Sequence, residues 1–310
     1  MTGSVESRWV RLIDSGRWRR ALGSSAASRI RATSTFRSLD LARRSTTTRL
    51  AHRRAPGRFS QVDVLCIFIG HVKSGGSLVG SMLDAHPEAL VSDEVDLFRY
   101  LEAGFGREQL CHLVAKGSRR EAMKGRITAR RLEPYSLAVP GAFQGRATCV
   151  RVLGDVRAGP TTRRLGEHLE LLERLEQVME PTEVRFVHVV RNPFDPISAM
   201  VRRGQRTFAN AIEDYQGQCQ RLLRLRTAVP TERLLTVRYE TFTHEPVAAL
   251  AEVCGFLGLE ARAEHLDACA AVIHSGRPGE RASVDWDEES IASVRALIES
   301  VPFLAGYRWL

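Results

Sequence analysis

"GHVKSGGS", residues 70–77, follows "VDVLCIFI" (62–69) and precedes "LVGSMLDAHP" (78–87). A run of β-branched and apolar residues enters a glycine-rich turn, and a helical pattern leaves it. That is the setting of a phosphate-binding loop, where backbone N–H groups and the positive end of a helix receive an anion. Gly70 and Gly75 have the separation of the glycines in G-x-x-x-x-G-K-[ST], and Ser77 fits the last position. The lysine does not. Gly76 stands in its place, and Lys73 comes three residues early.

The surrounding chain bounds the reading. A length of 310 residues with 44% hydrophobic residues is globular and can bury a large core. Charge is uneven. Residues 1–59 hold fourteen arginines, no lysine and three acids (Glu6, Asp14, Asp40), a net of +11. The whole chain is +9, so residues 60–310 carry −2. The basicity belongs to an N-terminal arm, which argues against a general nucleic-acid-binding body. The expected division is a basic, disordered arm over 1–59 and one domain over 60–310. The arm suits a solvated tail, a contact with an anionic membrane or partner, or a transit peptide. It has no apolar core of a secretory signal, and the longest apolar run, Val64 to Ile69, is too short to span a bilayer.

Six cysteines, at 66, 111, 149, 219, 254 and 269, form no C-x-x-C pair and sit in apolar contexts. They read as core thiols of a reducing compartment, so the expected location is cytoplasmic, with peripheral membrane contact through the arm. No spacing suggests a metal site.

Along the body, strands alternate with helices. Strands are expected at "VDVLCIFIG" (62–70), "RATCVRVLGD" (146–155), "EVRFVHVVRN" (183–192) and "RLLTVRYE" (233–240). Helices are expected at "GSLVGSMLDAHP", "DEVDLFRYLEAG", "REQLCHLVAKG", "TTRRLGEHLELLERLEQVM", "PFDPISAMVRR" and 207–228, and over most of the rest. Residues 117–145, with Pro134, Pro140 and several glycines, read as irregular. The pattern predicts an α/β, P-loop-like three-layer fold, a central parallel sheet flanked by helices, with ligands at the carboxyl ends of the strands.

A lysine ahead of the glycines projects from the strand end toward the outer face of a bound group, where it can stabilise a bridging oxygen as that oxygen leaves. "KSGGSLVGSMLDAHPE" (73–88) resembles the 5′-phosphosulfate loop of sulfotransferases that use 3′-phosphoadenosine 5′-phosphosulfate (PAPS), [KR]-S-G-[TS]-[TS]-L before a helix and "DAHP". "FVHVVRNPFDPISAM" (186–200) resembles the same family's 3′-phosphate motif. There Arg191, delivered by an apolar strand, grips a terminal phosphate. The family's serine eight residues after that Arg is Ala199 here. Ser198 is one residue early, about 100° around the helix, and remains a candidate beside Arg202 or Arg203. "RLLTVRYETFTHEPVAALAEVCGFLGL" (233–259) resembles the strand ending in "RYE" before "FLGL", which puts Tyr239 near the nucleotide. "SGRPGERASVDW" (275–286) resembles the basic loop over the 3′-phosphate, through Arg277 and Arg281.

The resemblance covers about residues 60–310. It implies PAPS as co-substrate, held by Lys73, Ser74, Gly75, Gly76, Ser77, Arg191, Ser198 and Tyr239, with no metal. It also implies a small-molecule or carbohydrate acceptor, with residues 100–145 shaping its pocket. In the tyrosylprotein-type and many bacterial relatives the base is a Glu after "DAHP". Glu94, 21 residues after Lys73, matches that spacing, with Asp93 beside it and His71 as a second candidate. Bacterial relatives often carry "GDK" at the second strand's end. Here it is "GDV" (154–156), with Arg157 next. Two other readings fit the same residues: a catalytically silent nucleotide-binding protein, and a P-loop kinase acting on a small molecule.

Overall fold

A computed structural model describes residues 34–93, 95–128, 135–202, 206–273 and 280–309. The described chain opens on α1 (Ser34–Arg54), then β1 (Val64–Gly70), α2 (Gly76–Asp84), β2 (Ala89–Asp93), α3 (Leu97–Glu102) and α4 (Arg107–Met123). A short antiparallel pair, β3 (Ile127–Thr128) and β4 (Tyr135–Ser136), precedes β5 (Val152–Val156), α5 (Ala158–Glu167), α6 (Glu170–Met179) and β6 (Glu183–Val190). The chain continues through α7 (Phe194–Arg202), α8 (Phe208–Ala228), β7 (Leu234–Arg238), α9 (Tyr239–His244), α10 (Pro246–Phe256), α11 (Ala263–Ala270) and α12 (Glu288–Ser300).

Five parallel strands make the central sheet in the order β2-β5-β1-β6-β7. Each strand of a parallel sheet needs a crossover, so the helices cover both faces. Side chains of β1 alternate. Leu65, Ile67 and Ile69 join the core that holds Leu113 of α4, Leu175 of α6, Leu222 of α8 and Leu297 of α12. Val64, Cys66 and Phe68 join the other core, with Leu83 of α2, Leu250 of α10 and Leu266 of α11. After β1 the chain crosses to β2 and β5 on one side, and later to β6 and β7 on the other. The carboxyl end of β1 is therefore the switch point where such sheets form a crevice.

Four expectations change. "ALVSD" is a strand, β2, the outermost on its side of the sheet, so Asp93 ends a strand and does not start a helix. Its short length and small Ala89 hid it among helical residues. Gly117 does not end a helix but lies inside α4. A Cβ there would sit 2.7 Å from the Ser92 Cβ, so the glycine lets α4 pack tightly on β2. The long helix expected from Thr161 begins instead at Ala158 and is two helices, broken at His168 (φ −136°, ψ 75°).

The fourth change concerns the N-terminal boundary. Residues 1–33 lie outside the described residues, but α1 is a helix packed on α4. Gln109 Nε2 donates to Thr48 Oγ1 at 3.2 Å, and Asp40 is buried against Arg43 and Arg44. Arg107 Nη2 donates to the Phe59 carbonyl at 3.0 Å, and Phe59 has no exposed surface. The arginines of α1 are partly spent on Asp40, which is why charge composition alone read this stretch as solvated.

One buried carboxylate fastens the end of α2. Asp84 accepts from Val91 N (2.6 Å), Ser118 Oγ (2.6 Å) and Gly145 N (2.8 Å), and pairs with buried Arg126. It joins α2 to β2, to α4 and to the segment before β5.

Phe59→Ala should lower the unfolding free energy by about 3–5 kcal/mol, read by urea titration. A change near zero would put the start of the domain back at residue 60.

Candidate active site

The switch point is built by the turn from β1 to α2. Gly70 closes β1 with φ +134°, and a Cβ there would lie 2.9 Å from the Val189 carbonyl of β6. Only glycine fits that approach. Thr162 of α5 secures the same residue twice: its Oγ1 accepts from Gly70 N at 2.8 Å and donates to Gly70 O at 3.2 Å. Gln218 Nε2 of α8 donates to Gly70 O (3.3 Å) and to Gly159 O (2.8 Å). The turn is therefore held on one side by two buried polar side chains that sequence reading did not single out.

Beyond Gly70 the backbone is strained. Lys73 takes a left-handed conformation, φ +69°, and Gly75 takes φ +100°. A lysine in that region costs free energy that surrounding structure must repay. Gly75 precedes α2, and its carbonyl accepts from Leu78 N (2.9 Å) and Val79 N (3.2 Å). The first amides of α2, from Gly76 and Ser77, have no intrahelical acceptor and face outward from the helix start, where an anion is favoured.

Ser74 lies inside this turn, 2% exposed, and its hydroxyl is buried with no hydrogen-bond partner among the described residues. A buried hydroxyl left unmade is costly. An oxyanion cradled by the turn would satisfy it, so the residues present fit a phosphate or sulfate group.

Three further side chains converge on the turn. Tyr239, first residue of α9, comes close against Gly75: a Cβ there would meet its Cδ2 at 2.2 Å. The Arg191 guanidinium lies 4.5 Å over the Tyr239 ring, and Arg191 Nη1 donates to the Lys73 carbonyl at 3.4 Å. Asp195, 3% exposed, aims two arginines. It accepts from Arg191 Nε (3.2 Å) and from both the backbone and Nε of Arg281 (3.1 Å each). Arg281 also donates to the carbonyls of Arg308 and Trp309. Glu240 completes the frame by accepting from Asn192 N (2.8 Å) and the Tyr307 hydroxyl (2.8 Å). The "RNPFD" and "RYE" stretches thus carry two framing acids, Asp195 and Glu240, beside the residues the sequence singled out.

Ser198 does not join the site. It has no exposed surface, and its Oγ accepts from Trp286 Nε1 at 2.9 Å. One step around α7 turns it into the core. Ala199 is buried as well. His71 is not a solvated base either. It is 7% exposed, its Nε2 is 3.1 Å from the Tyr215 carbonyl, and its ring stacks on Tyr215 at 3.7 Å. Burial lowers its pKa to about 4, against the raising effect of the Tyr215 hydrogen bond.

Glu94, Arg203 and Arg277 lie outside the described residues. The residues flanking Glu94 are clamped. Buried Asp155, at the end of β5, accepts from Ser92 Oγ (2.8 Å), Val95 N (3.1 Å) and Leu97 N (3.2 Å). Burial raises its pKa and these hydrogen bonds oppose the shift. Its neighbour Val156 is also inward, 3.3 Å from where a Cβ on Gly76 would be. Val156 therefore packs against α2. Arg157 is directed at Asp96, 3.9 Å away.

A cavity of about 560 Å³ adjoins the turn. Val72, Pro160, Arg163, Met200, Tyr215 and Gln218 are among its lining. Of residues 100–145, expected to shape the acceptor's pocket, only Glu102 among the described residues lines this cavity.

A model of the sulfotransferase family matches residues 66–263. No curated protein matches the chain. Among solved structures, the sulfotransferase domain of the Synechococcus PCC 7002 olefin synthase aligns with a TM-score of 0.47 and 19% identity, over 76% of this chain and 95% of that one. Sulfotransferase STF9 from Mycobacterium avium gives 0.47 and 11%, over 86% and 85%. Mouse sulfotransferase SULT7A1, complexed with PAP, gives 0.40 and 13%, over 81% and 87%. No helix among the described residues is long and apolar enough to cross a membrane.

The depressed pKa of His71 has a consequence for stability. The unfolded chain protonates this imidazole first, near pH 6.5, while the folded chain resists down to about pH 4. Its contribution is complete above pH 6.5 and is lost as pH falls through that window. His71→Gln should flatten the slope of unfolding free energy against pH there by up to about 1.4 kcal/mol per unit. Urea titrations at a series of pH values measure it, and an unchanged slope would mean His71 is not buried neutral.

Proposed function

The chain belongs to the sulfotransferase family, and from that premise we propose that it transfers a sulfuryl group from PAPS to the hydroxyl of a small-molecule or carbohydrate acceptor. One observation carries the reading: the buried, unpartnered hydroxyl of Ser74 in a strained turn where Lys73, Arg191 and Tyr239 meet.

PAPS brings an activated sulfuryl group on a phosphate that leaves. The chain's part is to hold and polarise it. Ser74 and the amides of Gly75, Gly76 and Ser77 receive the 5′ end, with the start of α2 favouring its charge. Lys73 stabilises charge on the leaving phosphate. Arg191, aimed by Asp195 and backed by Tyr239, takes the 3′-phosphate, with Arg281 supporting from the same carboxylate. Glu94 takes the acceptor's proton. Asp155 positions the backbone that follows Glu94. The acceptor occupies the cavity beside Val72, which is partly apolar and carries arginine. The inward Val156 favours a second reading, a slow or silent nucleotide-binding protein, and turnover separates the two.

A transfer screen with labelled PAPS over carbohydrate, lipid, phenol and peptide acceptors should find a sulfated product. With that acceptor, Lys73→Ala should lower turnover by about 10²–10³-fold. Glu94→Gln should lower it by about 10²–10⁴-fold and leave nucleotide affinity intact. If Glu94→Gln turns over an aliphatic alcohol at the wild-type rate, the base lies elsewhere. If no acceptor is sulfated although nucleotide binds, the silent reading stands.

A further inference from the structure

At the opposite end of the sheet, ahead of β1 and β6, where Thr182 Oγ1 donates to the Val62 carbonyl and accepts from Arg107, α1 meets α4. His52 lies in the last turn of α1. Glu108 and His112 lie one turn apart on the same face of α4. One ligand atom from each, drawn from these three side chains, lies within 4.8 Å of the others. Nothing in their sequence spacing announces this, because His52 is far from the other two along the chain.

The local bonding is unusual. His52 Nδ1, Glu108 Oε2 and His112 Nε2 are each shielded from solvent, and none has a hydrogen-bond partner among the described residues. His52 Nδ1 and Glu108 Oε2 are 3.2 Å apart, yet not aligned for a hydrogen bond. The other carboxylate oxygen, Oε1, is taken by Arg107 Nη1 at 2.9 Å, which leaves Oε2 turned to the histidines. His112 is 6% exposed, and Phe59 holds its ring edge-on at 4.9 Å. Three shielded polar atoms facing one another without hydrogen bonds cost free energy that a shared ligand would recover.

We propose that His52, Glu108 and His112 bind a divalent transition-metal ion, zinc above all, which fastens α1 to the body of the protein. Two imidazoles and one carboxylate suit zinc, and a donor set with two nitrogens disfavours magnesium and calcium, which take oxygen ligands. Donors around a tetrahedral zinc at about 2.1 Å stand roughly 3.4 Å apart, so the present spacing needs only side-chain adjustment. Water would fill the fourth position. The site is remote from the β1–α2 turn and does not rest on the sulfotransferase reading. The competing account is a simple His52–Glu108 ion pair.

The test uses the full chain, stripped with chelator and titrated with zinc chloride. One equivalent should bind, and the melting temperature should rise by roughly 4 °C with zinc about a hundredfold above its Kd. Magnesium at the same concentration should leave it unchanged. Cobalt(II) should give visible absorption bands of a four-coordinate site. His112→Gln and His52→Gln should each weaken zinc binding by at least about 100-fold. His52 is partly exposed, so its variant keeps the test open if His112→Gln fails to fold. No stoichiometric zinc on the wild type, or unchanged affinity in His52→Gln, would overturn the proposal and leave an ion pair.

Discussion

The reversal of the chain between β1 and α2 is the constraint on which the rest of the site depends. β1 must end under Val189 with no side chain at Gly70, and α2 must begin against Tyr239 with none at Gly75. Between those two points the backbone passes through a left-handed lysine. Such a conformation persists only when neighbours over-determine it. Here Thr162 and Gln218 hold Gly70, Arg191 holds the Lys73 carbonyl, and Tyr239 closes the other side. The product of this strain is a tight turn that ends at the start of α2 and encloses one buried hydroxyl, that of Ser74.

Charge is organised around that turn through buried acids. Asp195 is shared by Arg191 and Arg281, so the two guanidinium groups are fixed without opposing each other in a bare pair. Glu240 ties the start of α7 to Tyr307 near the chain's carboxyl end. Asp155 serves the β2 side in the same manner. Each acid satisfies several donors at once, which is what makes a buried carboxylate tolerable. None needs to touch a ligand to matter. Each sets where a cation or a strand end points, and catalysis by positioning is sensitive to such placement.

Much of this was legible in the residues and some was not. The alternation of β1 with its glycine exit, and the apolar run of β6 ending in Arg191, stood out because both obey a strong period. β2 did not, because five residues beside helical neighbours give too little pattern. Ser198 was misplaced because one residue along a helix is a third of a turn, and Trp286, distant in sequence, claimed its hydroxyl. His71 looked accessible beside a glycine loop, yet Tyr215 of α8 covers it. The expected arm was misread over residues 34–59 because composition counts arginines but does not show that Asp40 pairs with Arg43 and Arg44 or that Gln109 of α4 holds Thr48 of α1. Contacts of long sequence separation account for Ser198 and His71.

In the proposed function, the turn at 70–77 and Arg191 together recognise a nucleotide with phosphates at both its 5′ and 3′ positions. Calorimetric titration of the full chain with 3′-phosphoadenosine 5′-phosphate and with AMP, without magnesium, tests this most directly. A charge-assisted contact to the 3′-phosphate is worth about 1.5–3 kcal/mol, so the bisphosphate should bind about 10–150-fold more tightly than AMP, and Arg191→Ala should erase the difference. Equal affinity of the wild-type chain for the two nucleotides would contradict the account.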